Sequence, residues 1–296
     1  MALSDGLINY FNFDINTEDA ITADVCTSDI PPTHTTGKFN NGYQFNGINE
    51  YLEFDNNIDL SNNFTINFWA IIDTSSSLDE AVISQHDGTT ANWIVAPYSN
   101  YLRFSFFDGA TIRGFDGGAD SVFLGAMKMY SISYDATVPE LKFYLDGVLK
   151  RTVSTLTYYV SNNPSARVKI GTTNRNANAY FDGVLDDLAI WNRVLTDTEI
   201  SELYNGGTGQ IPMVVSSYSI SGVVKIEGTP TENVDVYLIN ETKNTLDAQT
   251  TSASDGTYSF NLLNRLTKFH VIAKYDTGTT KYSVYSKPYI TPVEDI

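Results

Sequence analysis

The sequence predicts an all-β protein, and three of its features support this prediction. Strand-length apolar runs, each bounded by Gly, Asn, Asp or Ser, recur along the first 210 residues. The chain contains 19 Tyr and 16 Phe, and aromatic residues favour strands. A single segment, near residue 200, has the periodicity of a helix. Because one open sheet of so many strands would leave its apolar faces exposed, we predict two stacked antiparallel sheets.

The predicted strands follow one another with short turns between them. The stretch YQFNGINEYLEFD contains two strands, Tyr43–Phe45 and Tyr51–Phe54, on either side of a turn at Asn46-Gly47. In FTINFWAIID, the even-numbered residues from Phe64 to Ala70 are apolar and predict a core-facing side. The other strand segments of this part are GLINYFNFD, AVISQHD, NWIVAPY, YLRFSFFDG, KMYSISYD, LKFYLDGVLKRTV, ARVKIGTT and FDGVLDDLAIW.

The one predicted helix lies in TDTEISELYNGG. Thr196 can cap its first turn, and Glu199 stands three residues later, as in a capping box. Gly206-Gly207 predicts the end of the helix. One apolar stripe consists of Ile200, Leu203 and Tyr204. We therefore expect a short amphipathic helix that covers one end of the last strand.

A second, smaller domain is predicted after the Gly-rich boundary YNGGTGQIPMVVSSYS. We place the first domain at residues 1–210, a linker at 211–216 and the second domain at 217–296. Segments such as VDVYLIN and KFHVIAKYD, with a tight turn at Asp255-Gly256, predict further strands. About five to seven strands in this length favour a small β-sandwich of the immunoglobulin or transthyretin type.

The charge and the cysteine content exclude several classes of function. The net charge is −17 and the pI is near 4.4, so we expect neither nucleic acid nor an anionic membrane as a partner, because both require Lys and Arg. Cys26 is the single cysteine, which rules out an intramolecular disulfide. The first residues, MALSDGLINYFNFD, lack a basic segment followed by an apolar run, so we expect no signal peptide.

The sequence carries no recognisable catalytic motif. Glycoside hydrolases need two carboxylates at a fixed separation, and the spacings Glu-x-Asp-x-x-Glu and Glu-x-Asp-x-Glu do not occur. The nearest cluster is Glu50, Glu53 and Asp55, which we interpret as a solvated strand face. The three histidines, His34, His86 and His270, do not have zinc-motif spacing. A Ser-His-Asp triad assembled in space remains open, although nothing in the sequence favours one.

The order and spacing of these segments resemble the laminin-G-like, concanavalin A-like jelly-roll family over about residues 5–206. The closing segment, FDGVLDDLAIWNRVLTDTEISELYN, is the most specific part of the resemblance. Met127 and Met129 depart from the pattern, since the family usually has Trp and His there. The resemblance implies a jelly roll, and lectin-like, adhesive and carbohydrate-binding modules dominate this family.

The second domain has a resemblance of its own. The pattern ISGVV, DVYLIN, TTSASDGTYSF, KFHVIAKYD is similar to carboxypeptidase-regulatory-like domains, which are usually non-catalytic spacers. The tail, YSVYSKPYITPVEDI, resembles the end of such modules in tailed-phage structural proteins.

Asp186 and Asp187 are adjacent in the last strand of the first domain, so we expect their side chains on opposite faces. Asp186 would share the core face with Leu188 and Ile190, where a carboxylate must be paired, hydrogen-bonded or bound to a metal. One interpretation is that Asp186 accepts hydrogen bonds from backbone amides and that Asp187 is solvated.

The other interpretation is a structural Ca²⁺, which the family resemblance implies between the last strand and the N-terminal segment. Its ligands would be Asp186 or Asp187 together with oxygens of Asp14 and of Asn46 and Gly47.

Ligand contacts are expected on loops at one rim of the jelly roll, where sugars stack on exposed aromatic rings. The candidate loops are 74–81, 86–93, 97–101, 108–120 and 172–180. The candidate contacts are Trp93, Tyr98, Tyr101, Arg113 and Arg175.

Together these features predict a non-enzymatic surface protein of a tailed-phage virion, made in the host cytoplasm. It would be a head fibre, a decoration protein or a tail-associated adhesin that binds glycans or a host surface. Its partners would be other virion proteins or cell-surface glycans, and homo-oligomerisation remains open. The alternatives are a secreted, extracellular bacterial adhesin or carbohydrate-binding module and, with less support, a glycoside hydrolase.

Overall fold

A computed structural model describes most of the chain. The chain divides into two compact units, Met1–Met213 and Val214–Ile296. The division falls inside the predicted linker. The described residues are 1–14, 16–22, 24–54, 57–75, 80–86, 91–107, 112–154, 156, 160, 166–173, 180–212, 218–240, 245–262, 269–276, 281–285 and 293–294. No helix among these residues has the length and apolar character needed to cross a membrane.

The described part of the first unit contains fourteen strands, one α-helix and one 3-10 helix. They are β1 (Leu7–Phe11), β2 (Thr33–Thr36), β3 (Asn41–Asn46), β4 (Leu52–Phe54), β5 (Phe64–Ile72), β6 (Ile83–His86), β7 (Ala91–Tyr98), β8 (Tyr101–Phe107), β9 (Ile112–Asp116), β10 (Lys128–Asp135), β11 (Glu140–Leu145), β12 (Val148–Val153), β13 (Val168–Ile170), β14 (Asp182–Trp191), α1 (Asp197–Tyr204) and a 3-10 turn (Asn205–Gly207).

These strands form two antiparallel sheets, which confirms the predicted fold class. The eight-stranded sheet has the order β12-β11-β10-β5-β14-β3-β2, and β1 also pairs with β14. The six-stranded sheet has the order β4-β13-β6-β7-β8-β9. The last strand, β14, therefore lies beside the first, as the sequence predicts.

The two sheets share one large hydrophobic core. In β5, Phe64, Ile66, Phe68 and Ala70 face this core, as the alternation in the sequence predicts. Trp69 lies on the other face of β5, in a second cluster between the eight-stranded sheet and α1. The middle strands of the eight-stranded sheet are therefore covered on both faces, whereas its edge strands β12 and β2 are largely exposed.

The stretch from β3 to β4 crosses from one sheet to the other. β3 pairs with β14 in the eight-stranded sheet, and β4 pairs with β13 in the six-stranded sheet. The turn at Asn46-Gly47 therefore connects the two layers and does not close a hairpin. Because of this crossing, the position of β14 also influences where β4 lies.

Helix α1 begins with the predicted capping box. Thr196 Oγ1 accepts a hydrogen bond from the backbone N–H of Glu199, and the Glu199 carboxylate accepts one from the Thr196 N–H. The helix ends at Asn205, which has a left-handed conformation with φ 47°. Ile200 and Leu203 are buried in the second cluster, so the helix covers the sheet as expected.

The second unit contains, in its described part, nine strands. They are β15 (Tyr218–Val223), β16 (Lys225–Ile226), β17 (Thr229–Pro230), β18 (Asp235–Asn240), β19 (Thr245–Thr251), β20 (Thr257–Leu262), β21 (Phe269–Asp276), β22 (Lys281–Tyr285) and β23 (Val293–Glu294). A three-stranded sheet, β20-β15-β23, and a four-stranded sheet, β19-β18-β21-β22, contribute residues to one core. The assignment of the second unit to the immunoglobulin or transthyretin type stays a prediction.

The capping box gives the first testable prediction. Replacing Thr196 by Ala removes the side-chain acceptor at the helix start, so we expect the free energy of unfolding to fall by about 1 kcal/mol. Urea denaturation measures this change. Thr198→Ala is the matched control, because Thr198 is exposed on the same helix and Ala favours helices. An equal decrease in the free energy of unfolding in Thr196→Ala and Thr198→Ala would contradict a capping role for Thr196.

Candidate functional site

Strand β14 changes its neighbour at Asp186 and Asp187. Its first part, as far as Leu185, pairs with β3, and its last part, from Leu188 onward, pairs with β1. On the other edge, the pairing with β5 contains an extra residue between Asp186 and Ala189. The two aspartates therefore occupy a β-bulge at the point where the regular ladders are interrupted.

The Asp186 carboxylate is held by three backbone N–H groups. Its Oδ2 accepts from Lys38 N at 2.6 Å and from Phe39 N at 3.0 Å, and its Oδ1 accepts from Asp187 N at 2.9 Å. The side chain is fully buried. A Cβ atom at Gly37 would overlap Oδ2 of Asp186, so this turn requires glycine. Asp186 thus ties the turn before β3 to the middle of β14.

The bulge changes which face the aspartates occupy. Asp187 has a left-handed backbone with φ 47°, and Leu185 and Leu188 on either side both face the core between the sheets. The hydrogen bonds of both carboxylates are made on the opposite, helix-covered side. The expectation that Asp186 shares a face with Leu188 and Ile190 is therefore wrong, because the extra residue shifts the alternation.

Asp187 is buried with only one of its oxygens satisfied. Its Oδ1 accepts a hydrogen bond from the Tyr10 hydroxyl, while Oδ2 has no hydrogen-bond partner. We name the group formed by Tyr10, Lys38, Phe39, Asp186 and Asp187 the aspartate junction. The expectation that Asp187 is solvated is wrong, since its side chain lies beneath the helix-covered surface.

Burial dominates the electrostatics of the aspartate junction. It raises the pKa of Asp186 to about 7, although the three N–H donors oppose the shift. Burial and the charge of Asp186 raise the pKa of Asp187 well above its ordinary value. Burial and the charge of Asp187 also raise the pKa of Tyr10. At neutral pH the junction therefore holds fewer than two full negative charges.

Asp14, one of the predicted calcium ligands, lies near the junction. Its Oδ1 accepts from Asn41 N at 3.2 Å, and its charge helps to raise the pKa of Asp186. Both oxygens of Asp186 already face N–H donors, which a cation would have to displace. Within the aspartate junction, Oδ2 of Asp187 is the buried acceptor oxygen that has no hydrogen-bond partner.

The other two predicted ligands, Asn46 and Gly47, lie elsewhere. Asn46 pairs with Asp182, four residues from Asp186 along β14, which corresponds to about 13 Å. Its side-chain oxygen accepts from the N–H groups of Ile48, Asn49 and Glu50. Gly47 is beside Asp182 with φ 67°. The five predicted ligands therefore do not converge, and the described residues contain no group of three or more His, Cys, Asp or Glu placed to hold a metal.

Trp93 is a core residue. It is 1% exposed, and its indole N–H donates to Gln85 Oε1 at 3.1 Å and to Ile58 O at 3.3 Å. The alternation in NWIVAPY places Trp93 on the same side as the buried Val95. The expectation that Trp93 contacts a ligand at the rim is therefore corrected.

The remaining predicted ligand contacts do not form one site. Tyr98 and Tyr101 face each other at the tip of the β7–β8 hairpin, with ring centroids 5.6 Å apart. Arg113 is opposite Phe106, five residues along β8 from Tyr101, or about 16 Å away. Arg175 lies outside the described residues.

A polar cleft opens at the β4 edge of the six-stranded sheet. Its volume is about 190 Å³, and it is lined by Thr27, Ser28, Asp29, Tyr51 and Glu53; we name it the Tyr51 cleft. One wall is fixed to β4, because the N–H and carbonyl groups of Thr27 bond to those of Glu53 at 2.8 Å. Tyr51 and Glu53 project from the face opposite the core, since the intervening Leu52 is buried in it.

Basic and aromatic side chains surround this cleft. Lys169 Nζ lies 3.0 Å from Glu53 Oε2 and 4.5 Å from the centroid of the Tyr51 ring, and Arg167 forms a second ion pair with Glu53. The Tyr180 ring lies 6.4 Å from that of Tyr51. Burial alone would raise the pKa of Glu53, but the hydrogen bonds and charges of Arg167 and Lys169 outweigh it and hold this pKa below its ordinary value.

Sequence reasoning missed this cleft as a ligand site. Its lining comes from two segments that are distant in sequence, residues 27–29 and 51–53, and residues 167 and 169 contact Glu53 from the neighbouring strand β13. The signal in the sequence is the alternation in YLEF and RVKI, which places Tyr51 and Glu53 on one side of the β4 segment and Arg167 and Lys169 on one side of the neighbouring β13 segment.

The family model of the concanavalin A-like lectin/glucanases superfamily matches residues 46–201, just over half of the chain. The chain belongs to this superfamily. A comparison with curated proteins found no match.

Several solved structures share the fold at low sequence identity. Domain 4 of AbnA, a GH43 extracellular arabinanase from Geobacillus stearothermophilus in complex with arabinotriose, is 15% identical, with a TM-score of 0.54 over 69% of this chain and 98% of that domain. The botulinum neurotoxin serotype G binding domain is 14% identical, with a TM-score of 0.52 over 98% of this chain and 80% of that one. The serotype D ligand binding domain in complex with N-acetylneuraminic acid is 13% identical, with a TM-score of 0.53 over 95% and 73%.

The raised pKa values of the aspartate junction predict an unusual dependence of stability on pH. A carboxyl whose pKa is higher in the folded state, here about 7 for Asp186 against about 3.9 unfolded, contributes stability at low pH that is lost as the pH rises through the folded value. Asp187→Asn removes one titrating group, so its free energy of unfolding should fall less between pH 5 and pH 8 than that of the wild type.

Urea denaturation at the two pH values measures this difference. Glu202→Gln is the control, because Glu202 is an exposed carboxylate on α1. Its free energy of unfolding should change with pH as that of the wild type does. If the free energy of unfolding fell by the same amount between pH 5 and pH 8 in Asp187→Asn and in the wild type, the assignment of raised pKa values to the junction would be refuted.

Calcium binding stays a prediction of the sequence, and thermal melting tests it. Because the five expected ligands are separated and N–H groups face Asp186, we expect the same melting temperature in EDTA and in CaCl₂. A melting temperature that rises with CaCl₂ and is unchanged with MgCl₂ would instead show that the chain binds calcium.

Proposed function

We propose that the first unit is a non-catalytic carbohydrate-binding module and that the Tyr51 cleft is its binding site. The observation that carries the proposal is the cleft itself, an open space of about 190 Å³ that combines a tyrosine ring with several polar side chains. Binding sites for small ligands typically join an apolar surface to a few hydrogen-bonding groups. Sugars match this arrangement, because a sugar ring has an apolar face and a hydroxyl-bearing rim.

The position of the Tyr51 ring supports the proposal. Lys169 lies over the ring at 4.5 Å, and Tyr180 packs beside it, so the aromatic surface is held in place before a ligand arrives. Aromatic rings with few rotatable bonds lose little entropy on binding. Tyr51 is half-buried, which leaves part of its surface toward the cleft.

The electrostatics favour binding over hydrolysis. A glycosidase needs one carboxylic acid whose pKa is raised so that it can protonate the leaving group. Glu53 has the opposite environment, since Arg167 and Lys169 hold its pKa below the ordinary value. An ionised Glu53 accepts hydrogen bonds from hydroxyl groups but does not donate a proton.

The solved structures that share the fold also support a binding role. Domain 4 of the arabinanase was solved in complex with arabinotriose, and the serotype D neurotoxin domain in complex with N-acetylneuraminic acid. Both are named as domains of larger proteins, and the neurotoxin domains are named for binding. A glycan-binding role for the present chain extends this pattern.

For the biological setting, we propose the surface of a tailed-phage virion, where the second unit would act as a spacer or anchor. The resemblance of the tail, YSVYSKPYITPVEDI, to the end of such modules in tailed-phage structural proteins supports this setting. A secreted bacterial adhesin is the alternative. Capsid and tail genes beside the native gene would favour the virion, whereas a signal peptide encoded upstream in the native gene would favour secretion.

A glycan array probed with the full chain tests the binding function. We expect Tyr51→Ala to weaken glycan binding by about tenfold or more, because stacking of a ligand on an aromatic ring is worth about 1–3 kcal/mol in the comparable case of nucleic-acid bases. Tyr98→Ala is the matched control, since Tyr98 is also half-buried on the six-stranded sheet but lies at the β7–β8 hairpin.

Three outcomes would contradict the proposal. If the chain binds no glycan, the function is wrong. If Tyr98→Ala abolishes binding and Tyr51→Ala does not, the site is wrong. If the chain releases reducing sugar from a bound polysaccharide, the non-catalytic assignment is wrong.

A further inference from the structure

We infer that the Tyr51 cleft selects a neutral glycan, one sugar ring at a time, through hydroxyl groups that donate to Glu53 and Asp29. This inference rests on the proposed function and adds the chemical class of the ligand. It is carried by the lining of the cleft, the pairing of its charges and its size.

The lining of the cleft is rich in hydrogen-bond acceptors. Asp29 and Glu53 are carboxylates, and Thr27 and Ser28 each contribute a hydroxyl group. An ionised carboxylate accepts hydrogen bonds and donates none. A ligand that fits this lining must therefore supply hydrogen-bond donors, and the hydroxyl groups of a sugar do so.

The basic groups near the cleft are already engaged. The Lys169 side chain is 12% exposed and is shared between Glu53 Oε2 and the Tyr51 ring. Arg167 forms an ion pair with Glu53 Oε1. Both cations therefore orient and neutralise Glu53, which makes them positioning residues for this carboxylate.

The balance of charge disfavours an anionic glycan. Arg167 and Lys169 both pair with Glu53, and Asp29 is a second carboxylate in the lining, so these four charges sum to zero. The chain as a whole has a net charge of −17. A sialylated, sulfated or uronic-acid-containing glycan therefore gains no local attraction and meets a repulsive field.

The size of the cleft limits how much of a glycan can enter. Its volume of about 190 Å³ is below the range of about 300–1,000 Å³ that is typical of sites enclosing larger ligands. The backbone bonds between Thr27 and Glu53 fix the distance between its walls. A terminal residue or a single branch fits this space better than the middle of a polysaccharide chain.

The test compares neutral glycans with sialylated, sulfated and uronic-acid-containing glycans on one array, with the full chain as the probe. We expect the strongest signals from neutral glycans and a loss of about tenfold or more in Glu53→Gln, because hydrogen bonds to a charged acceptor are the strong ones. Asp29→Asn should raise binding of anionic glycans relative to neutral ones.

The control is Glu140→Gln, which removes a glutamate from a surface ion pair with Lys142 on the other sheet. It should leave binding unchanged. Thermal melting of Glu53→Gln shows whether the variant stays folded, and Asp29→Asn provides an independent test because Asp29 is exposed.

The outcomes separate the inference from the proposed function. If neutral glycans bind the wild type and bind Glu53→Gln more weakly, the inference is supported. Anionic glycans that bind best and are weakened by Tyr51→Ala overturn the inference while the binding function stands. Absence of binding to every glycan overturns both.

Discussion

The first unit depends on one buried carboxylate that substitutes for missing backbone pairing. Strand β14 passes from β3 to β1 at Asp186 and Asp187, and the regular ladder is interrupted there. Asp186 accepts from the N–H groups of Lys38, Phe39 and Asp187 at this point. Burying a carboxylate costs several kcal/mol, and each such hydrogen bond returns only about 1.5–3 kcal/mol. We conclude that Asp186 specifies where the turn before β3 sits and adds little net stability.

This constraint extends to the Tyr51 cleft through the chain. The turn held by Asp186 leads directly into β3, and β3 leads through the Asn46-Gly47 turn into β4 on the other sheet. Asn46 fixes this crossing because its side-chain oxygen accepts from three following N–H groups. Tyr51 and Glu53 come next, so the aspartate junction and the Asn46 turn together position two walls of the cleft.

Much of the fold follows from local patterns in the sequence. The alternation in β5 identifies its core face, and Thr196 with Glu199 identifies the start of α1, because both features depend only on neighbouring residues. The pairing of the last strand with the first follows from the family resemblance. The face of Asp186 does not follow, because a bulge shifts the alternation and leaves no mark in the residue types.

The ligand site was harder to predict for a different reason. The lining of the Tyr51 cleft comes from two segments that are distant in sequence, 27–29 and 51–53, and only the pairing of β4 with β13 brings Glu53 to Lys169. The aromatic residue type of Trp93 favours a ligand contact, although its alternation with Val95 indicates the core. The family match and the solved structures establish the fold.

Amide hydrogen exchange at Lys38 and Phe39 tests the central role of Asp186 most directly. In Asp186→Ala these two N–H groups lose their acceptor, so their exchange should accelerate strongly while the amides in the middle of β10 remain protected. Asp186→Asn, which keeps one acceptor oxygen, should give an intermediate rate. If the protection of both amides in Asp186→Ala equals that of the wild type, the turn is held by other contacts and Asp186 does not define this region of the fold.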